Sequence, residues 1–300
     1  MDQELVFATV DVFSDSAFGG NPLAVYPYAE KLTSEQMQQI AQEMNYSETT
    51  FVLPPRDPQH TADVRIFTPQ AELPFAGHPN VGTAWVLAQH PQWVPGQAQD
   101  GQMCFEQRAG LVQVEFQYQS SQQPSACWIT APKLFERLHV VPRQVLADCV
   151  GIEVDAICND GCVASVGIPF AFVEVSDREV LARCKPQLAA FELADASHGY
   201  PGEGFSLMVY CRSDSAVLHA RMFGPLIGIS EDPATGSAAA ALAALLAGSE
   251  SKEFVLHQGA DMGRHSVLQL RVQQREGGSP KVQVGGRCVP MINGVLRLDN

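Results

Sequence analysis

Two loops in this chain bring together residue types that can hold an anion and move a proton. The later one lies within RMFGPLIGISEDPATGSAAAALAALLAG, Arg221 to Gly248. There Asp232 supplies a carboxylate, Pro233, Thr235, Gly236 and Ser237 supply turn chemistry, and Thr235 or Ser237 is placed to cap a helix beginning beside it. No charged residue occurs from Ala238 to Ala247, so the spacing predicts a helix with no face suited to water, buried with its N-terminus under the loop. Such a helix start offers unpaired N–H groups and a positive dipole end to an anion. About half a chain earlier, RIFTPQAELPFAGHPNVGTAWVLA from Arg65 repeats the order Arg, apolar, Phe, small residue, Pro. It reaches Gly82, Thr83, Ala84 where the later copy reaches Gly236, Ser237, Ala238. The repeat predicts two related half-folds, each aiming a loop and a helix start toward the other.

The elements around these loops follow from periodicity and turn chemistry. Val6 to Phe13 alternates as a strand and runs into the turn Gly19, Gly20, Asn21, Pro22. That turn is open to two readings, a plain strand-to-strand connection or a site-facing loop in which Asn21 meets substrate. Thr33 and Gln36 form a capping box before an amphipathic helix carrying Met37, Ile40, Ala41 and Met44, which stops at Asn45. Thr49 to Leu53 is then a strand, which leaves Glu48 on the corner between helix and strand. A carboxylate suits neither a helix C-terminus nor a strand, yet by itself Glu48 reads as a solvated surface residue.

Further along, Val64 to Phe67 is a strand, Pro79 to Gln89 the first central helix, and Met103 to Gln107 with Leu111 to Tyr118 an antiparallel pair with one wet face. The polar stretch SSQQPS, Ser120 to Ser125, marks the domain boundary. The half-folds are then 1–124, to which a C-terminal strand near 288–300 can return, and 125–287. The second half repeats the pattern with a helix from Pro142 to Val150, strands at Ala171 to Val175, Leu207 to Cys211 and Val267 to Gln273, and a turn at Gly277, Gly278. Asn293, Gly294 carries the sequence signal of a type I′ hairpin. Gly259, Gly263 and Arg264 form a third small-residue loop. Arg264 is open to a carboxylate-neutralising role or a plain surface one, and Glu72 is taken as structural.

Bulk composition limits the partners. Three hundred residues fit two domains, and with 46% apolar but only 17% charged residues the chain buries extensively or forms a subunit interface. A formal charge of −14 argues against nucleic acid and anionic membranes. With no spanning segment and no signal-like N-terminus, the chain reads as soluble and cytoplasmic. Only Cys158 and Cys162 of the eight cysteines lie close together, so free buried thiols are expected rather than zinc or disulfides. Neither GxGxxG nor GxxxxGK[ST] occurs, no GxSxG elbow is present, and His198, His257 and His265 lack partners at metal-ligand spacing.

In the segments GGNPLAV (19–25), SETTFV (47–52), FTPQAELPFAGHPNVGTA (67–84), RMFGPLIGISEDPATGSA (221–238) and QGADMGRHS (258–266), the chain resembles the PhzF family of phenazine-biosynthesis isomerases. The resemblance implies an α+β fold of the diaminopimelate epimerase type. Two pseudo-symmetric domains, each a β-barrel-like antiparallel or mixed sheet around a central helix, would have an active site in the cleft between them and commonly form a homodimer. It also implies that Glu48 is the catalytic glutamate, that His78 and Asp232 are catalytic, and that Ser237 and the N–H groups at Gly77 and Gly236 hold the substrate carboxylate. A desolvated carboxylate beside a second one can exchange protons near neutral pH, and His78 can donate to or orient a nearby oxygen. The expectation is a cofactor-independent and metal-free proton shift on a small cyclic or aromatic-like carboxylic acid. Related racemases and epimerases use one cysteine in each domain's loop. AGHPN and DPATGSA contain none, which leaves an epimerase without the two-cysteine mechanism, or a non-catalytic binding protein, as the alternatives.

Overall fold

The computed structural model describes residues 3–99, 101–118, 124–275 and 277–298. The stretch expected to mark the domain boundary lies mostly outside the described residues, at 120–123. The chain divides into two compact units, Met1–Pro132 with Gly285–Asn300, and Lys133–Val284.

The first unit is a mixed sheet folded about one buried helix. Its strands lie in the order Cys288–Leu298, Gln3–Val12, Asn21–Tyr26, Glu48–Leu53, Ala62–Phe67, Gln102–Gln107, Gly110–Tyr118, Pro124–Thr130. Helix α1 (Ser34–Met44) carries the expected capping box and ends on a left-handed Asn45. It packs on the outer face, where Met37 and Ile40 meet Tyr26, Phe51 and Phe67. Helix α2 (Gly77–Gln89) is buried over most of its length on the inner face. Strand alternation serves both layers: Leu23 and Thr50 turn inward to α2, and Tyr26 and Phe51 outward to α1.

The second unit repeats this construction. From Gly161–Ser165 through Pro169–Glu174, Leu207–Arg212, Val217–Gly224 and Lys252–Gln258 to Ser266–Arg275, neighbouring strands pair antiparallel, parallel, antiparallel, parallel, antiparallel. The same succession runs from Gln3–Val12 to Gly110–Tyr118 in the first unit. Helices α3 (Arg143–Val150), α4 (Arg178–Arg183) and α5 (Leu188–His198) contribute Leu146, Leu181 and Phe191 to a core with Phe205, Phe223 and the strands. Helix α6 (Gly236–Ala247), rich in alanine, fills the place that α2 has in the first unit. This is the α+β fold of the diaminopimelate epimerase type, two pseudo-symmetric halves each with a sheet about a central helix.

The structure corrects four expectations. Asn293-Gly294 is not a hairpin: it lies inside the single strand Cys288–Leu298, with Gly294 beside Phe7. A Cβ there would sit 2.6 Å from the Phe7 ring, so the glycine serves a close aromatic approach and not a turn. Gly82, Thr83 and Ala84 are not a helix start, because α2 begins at Gly77 and places Pro79 in its first turn, where a missing N–H costs nothing. Tyr118 is exposed at the sheet's margin, so the dry face of Gly110–Tyr118 is confined to Val112 and Val114. All eight cysteines are free, but Cys158 is exposed, not buried. Among the described residues, no helix is long and apolar enough to cross a membrane.

Candidate active site

Glu48 opens the strand Glu48–Leu53 and is only 9% exposed. The surface reading of the isolated sequence position therefore fails, and strand geometry explains why. Thr50, two residues on, faces inward and shares a 2.8 Å hydrogen bond with Thr83 of α2. Two residues back along the strand is roughly 7 Å, and five residues back along the helix is about 7.5 Å. Both paths end at the N-terminus of α2, where the Glu48 Oε2 lies 3.3 Å from His78 Nε2. Asn21, fully buried, begins the adjacent parallel strand, two residues before Leu23, which is in register with Glu48.

His78 is 4% exposed, and burial pushes its imidazole down to about 3. It is therefore neutral near pH 7, a hydrogen-bonding group and not a cation. Gly77 and His78 form the first turn of α2, and no side chain among the described residues caps that turn. Asn80 holds the turn instead: its Nδ2 donates to Ala76 O at 2.8 Å and to Gln107 Oε1 at 3.3 Å, while Gln107 Nε2 donates back to Asn80 Oδ1 at 2.6 Å. The arrangement suits a carboxylate group near Gly77 and a proton acceptor at Glu48.

In the second unit Asp232 ends the strand Ile229–Asp232 and is 6% exposed. Thr235 occupies the position before α6, but its side chain does not cap the helix. The hydroxyl donates to Asp232 Oδ2 at 2.5 Å. Gln258 ties the loop together, since Thr235 N donates to its Oε1 at 3.2 Å and its Nε2 donates to Asp232 O at 2.8 Å and to Thr235 Oγ1 at 3.0 Å. Gly236 is buried at the first position of α6 and Ser237 is half-buried beside it. The structure thus brings Glu48, His78, Gly77 and Asn21 to one helix start, and Asp232, Gly236 and Ser237 to the corresponding helix start of the second unit.

The repeated Arg motif turns out to be a clamp on each loop. Arg65 donates from Nε and Nη2 to Glu72 at 2.8 and 2.7 Å and lies over Phe67 at 5.1 Å. Arg221 makes the same fork to Glu231 at 2.8 and 2.7 Å, lies over Phe223 at 5.0 Å, and donates to the carbonyls of Leu181, Ala182 and Cys184 at the end of α4. Glu72 is thus structural. Sequence reasoning passed over Gln107 and Gln258, which end corresponding strands and organise the two helix starts. The available signal was the shared sequence ending in FEQRAG and LHQGAD, glutamine after an apolar strand and before a small-residue turn.

Residues 10–294 match the PhzC-PhzF family, described as phenazine biosynthesis-like protein. The chain is 32% identical over 306 residues to an uncharacterised isomerase of Mesorhizobium japonicum, covering 95% of this chain and 96% of that one. It is 31% identical over 304 residues to the trans-2,3-dihydro-3-hydroxyanthranilate isomerase of Pseudomonas chlororaphis, covering 97% and 99%. A Bacillus anthracis phenazine biosynthesis protein of the PhzF family has the same fold, with a TM-score of 0.85 at 23% identity over 98% of this chain and 99% of that one.

Proposed function

The chain belongs to the phenazine biosynthesis-like PhzC-PhzF family and is a PhzF-like isomerase, and on that footing we propose that it shifts a proton within a small cyclic carboxylic acid. The observation that carries this reading is a buried carboxylate, Glu48, 3.3 Å from a buried neutral histidine at an uncapped helix start. In the proposed step the Glu48 carboxylate takes a proton from a ring carbon. The C–H electron pair moves into the conjugated system, and the proton returns at another carbon, so no electrons are gained or lost. His78, neutral, hydrogen-bonds to a substrate oxygen or to Glu48 and fixes their orientation.

In the first unit the N–H group at Gly77 is assigned to substrate binding, with Asn21 as a further contact; in the second unit the N–H group at Gly236 and Ser237 are assigned to substrate binding and Asp232 as a second acid–base group. The name of the Pseudomonas chlororaphis relative supports a dihydro-hydroxyanthranilate or a similar ring acid as the first compound to test. The reading needs neither metal nor organic cofactor, so dialysis against a chelator should leave turnover intact. The low charged content, 17%, supports a homodimer, which sedimentation would weigh, and we place the protein in the cytoplasm.

The test is incubation with a panel of cyclic and aromatic-like carboxylic acids in D2O, following both isomerisation and deuterium uptake. For a compound that the wild type turns over, Glu48→Gln should lower the rate by roughly 10²–10⁴ and leave substrate binding in place. Near-normal turnover by Glu48→Gln, with the fold intact, would falsify the assignment.

A further inference from the structure

Three histidines of the second unit stand side by side. His219 and His257 are opposite one another in the parallel pairing of Val217–Gly224 with Lys252–Gln258, their ring centres 5.0 Å apart and their planes 22° from parallel. His265 meets His257 differently. His257 Nδ1 and His265 Nε2 are 3.0 Å apart, with the ring centres 5.2 Å apart and the planes within 9° of parallel. That centre separation is close to the N···N distance plus one ring radius on each side, so both nitrogens lie on the line between the centres. The rings are head to head and nearly in one plane, joined by a straight N–H···N hydrogen bond. Such a bond needs one proton between the two nitrogens. It survives a first added proton, which goes to an outer nitrogen, but two imidazolium rings would point N–H at N–H.

The pair brackets the turn at residues 259–264, which backs the loop between Asp232 and Gly236. Immediately before the turn, Gln258 holds Asp232 and Thr235. Gly259, left-handed at φ 74°, lies so close to Pro233 that a Cβ would sit 2.7 Å from the Pro233 carbonyl oxygen. Within the turn, Arg264 N and Met262 N donate to Gly259 O at 2.9 and 3.3 Å, and the bond between the two rings closes its base. The first unit needs no such closure, because Gln107 pairs directly with Gly110 and only Arg108 and Ala109 lie between them. The groups facing the pair are His219, Arg178 of α4, and Asp261 of the turn, which pairs with Arg178 at 3.4 Å. Burial first, and then Arg178 and the neighbouring histidines, keep His219 and His257 below the ordinary histidine value. The second proton is therefore resisted near neutral pH and accepted in acid.

We infer that His257 and His265 are positioning residues for the second unit's site loop: their hydrogen bond holds the turn at 259–264 against Pro233, and a second proton on the pair releases it. This role rests on the assignment of residues 232–237 to the site, and its test uses no substrate, so it can fail while that assignment stands. Amide hydrogen exchange of the whole chain, followed by NMR, reports the loop through Thr235 N–H, bound to Gln258 Oε1, and the turn through Arg264 N–H, bound to Gly259 O. Protection is taken relative to the intrinsic exchange rate at each pH. At pH 7.5, His265→Ala should lower protection at both amides by roughly 2–10-fold. His265→Gln keeps an amide that can bond His257 and takes up no proton, so it should restore protection. Between pH 7.5 and 4.5 the wild type should then lose roughly 2–10-fold more protection than His265→Gln, which shares every other acid-sensitive group. Where His265→Gln folds poorly, His257→Gln serves in its place. Wild-type protection in His265→Ala at pH 7.5, or equal losses on acidification in the wild type and the Gln variant, overturns the inference.

Discussion

Protonation of His78 gives the most direct physical check on the buried site. Burial lowers its folded-state pKa from 6.5 to about 3, while an unfolded chain titrates it near the ordinary value. Below pH 6.5 the unfolded chain therefore binds a proton that the folded chain refuses, and this group's contribution to stability is lost as pH falls toward 3. The slope is about 1.4 kcal/mol per pH unit for one proton, so roughly 2–3 kcal/mol should disappear between pH 6.5 and 4.5. Burial also holds His219 and His257 below the ordinary histidine value, so they lose stability in the same direction as pH falls, and they are present unchanged in a His78 variant. Although burial alone would raise Glu106, hydrogen bonds from His60, the Asp57 backbone and Arg56 hold it down to about 2, and its contribution is lost only as pH falls from about 4.5. The comparison is therefore made with His78→Gln, which keeps Glu106 but has no imidazole to protonate. Urea unfolding of both proteins from pH 7.5 to 4.5 should show the wild type losing roughly 2–3 kcal/mol more than the variant. The His78 imidazole signals in NMR should stay those of the neutral ring down to pH 5. If His78 titrates near 6.5, or both proteins have the same pH slope, the site is wetter than its burial implies and the neutral role assigned to the ring is wrong.

Three other outcomes are expected. Arg221→Ala should cost about 3 kcal/mol, because it strands the Glu231 carboxylate and three carbonyls, whereas Arg65→Ala should cost roughly 1–2 kcal/mol, since Arg108 still pairs Glu72 at 2.7 Å; equal losses in chemical denaturation would contradict the two clamps as drawn. Gly82→Ala should destabilise by about 1–3 kcal/mol, because a Cβ would meet Leu23 and Val12 at 2.6 Å and that overpacking outweighs a helix-propensity gain of about 1 kcal/mol; a raised melting temperature would refute it. Gln258→Leu should lower kcat for any substrate found while leaving α6 folded, and rescue by Gln258→Glu of the rate but not of loop order would argue against a positioning role.

Much of this architecture was legible because it rests on local chemistry. The capping box at Thr33, the uncharged run from Ala238 and the Arg–Phe–Pro repeat each specify a feature through nearby residues, and each has its counterpart in α1, α6 and the two clamps. What escaped depends on distant neighbours. Glu48 is buried because Thr50 locks its strand to α2, which no property of SETTFV reveals. Gly294 looks like a turn residue until Phe7, nearly the whole chain away, is placed against it. Thr235 satisfies every local rule for a helix cap, but Asp232 accepts its hydroxyl. Gln107 and Gln258 are ordinary strand residues until the loops they hold are present.

The pairing of Cys288–Leu298 with Gln3–Val12 sets an order of events during synthesis. Lys133–Val284 is contiguous and has its whole sequence available once Val284 has left the ribosome. The first unit is different. The strand that covers the open edge of Gln3–Val12 starts roughly 280 residues after Val12, a wait of roughly 15–55 s at about 5–20 residues per second. During that interval Gln3–Val12, already able to pair with Asn21–Tyr26 on one side, presents an open hydrogen-bonding edge on the other, the kind of edge that recruits foreign strands. The half of the molecule that carries Glu48 and His78 is therefore begun first and finished last, and a nascent chain stalled before Cys288 is the form of this protein most exposed to aggregation.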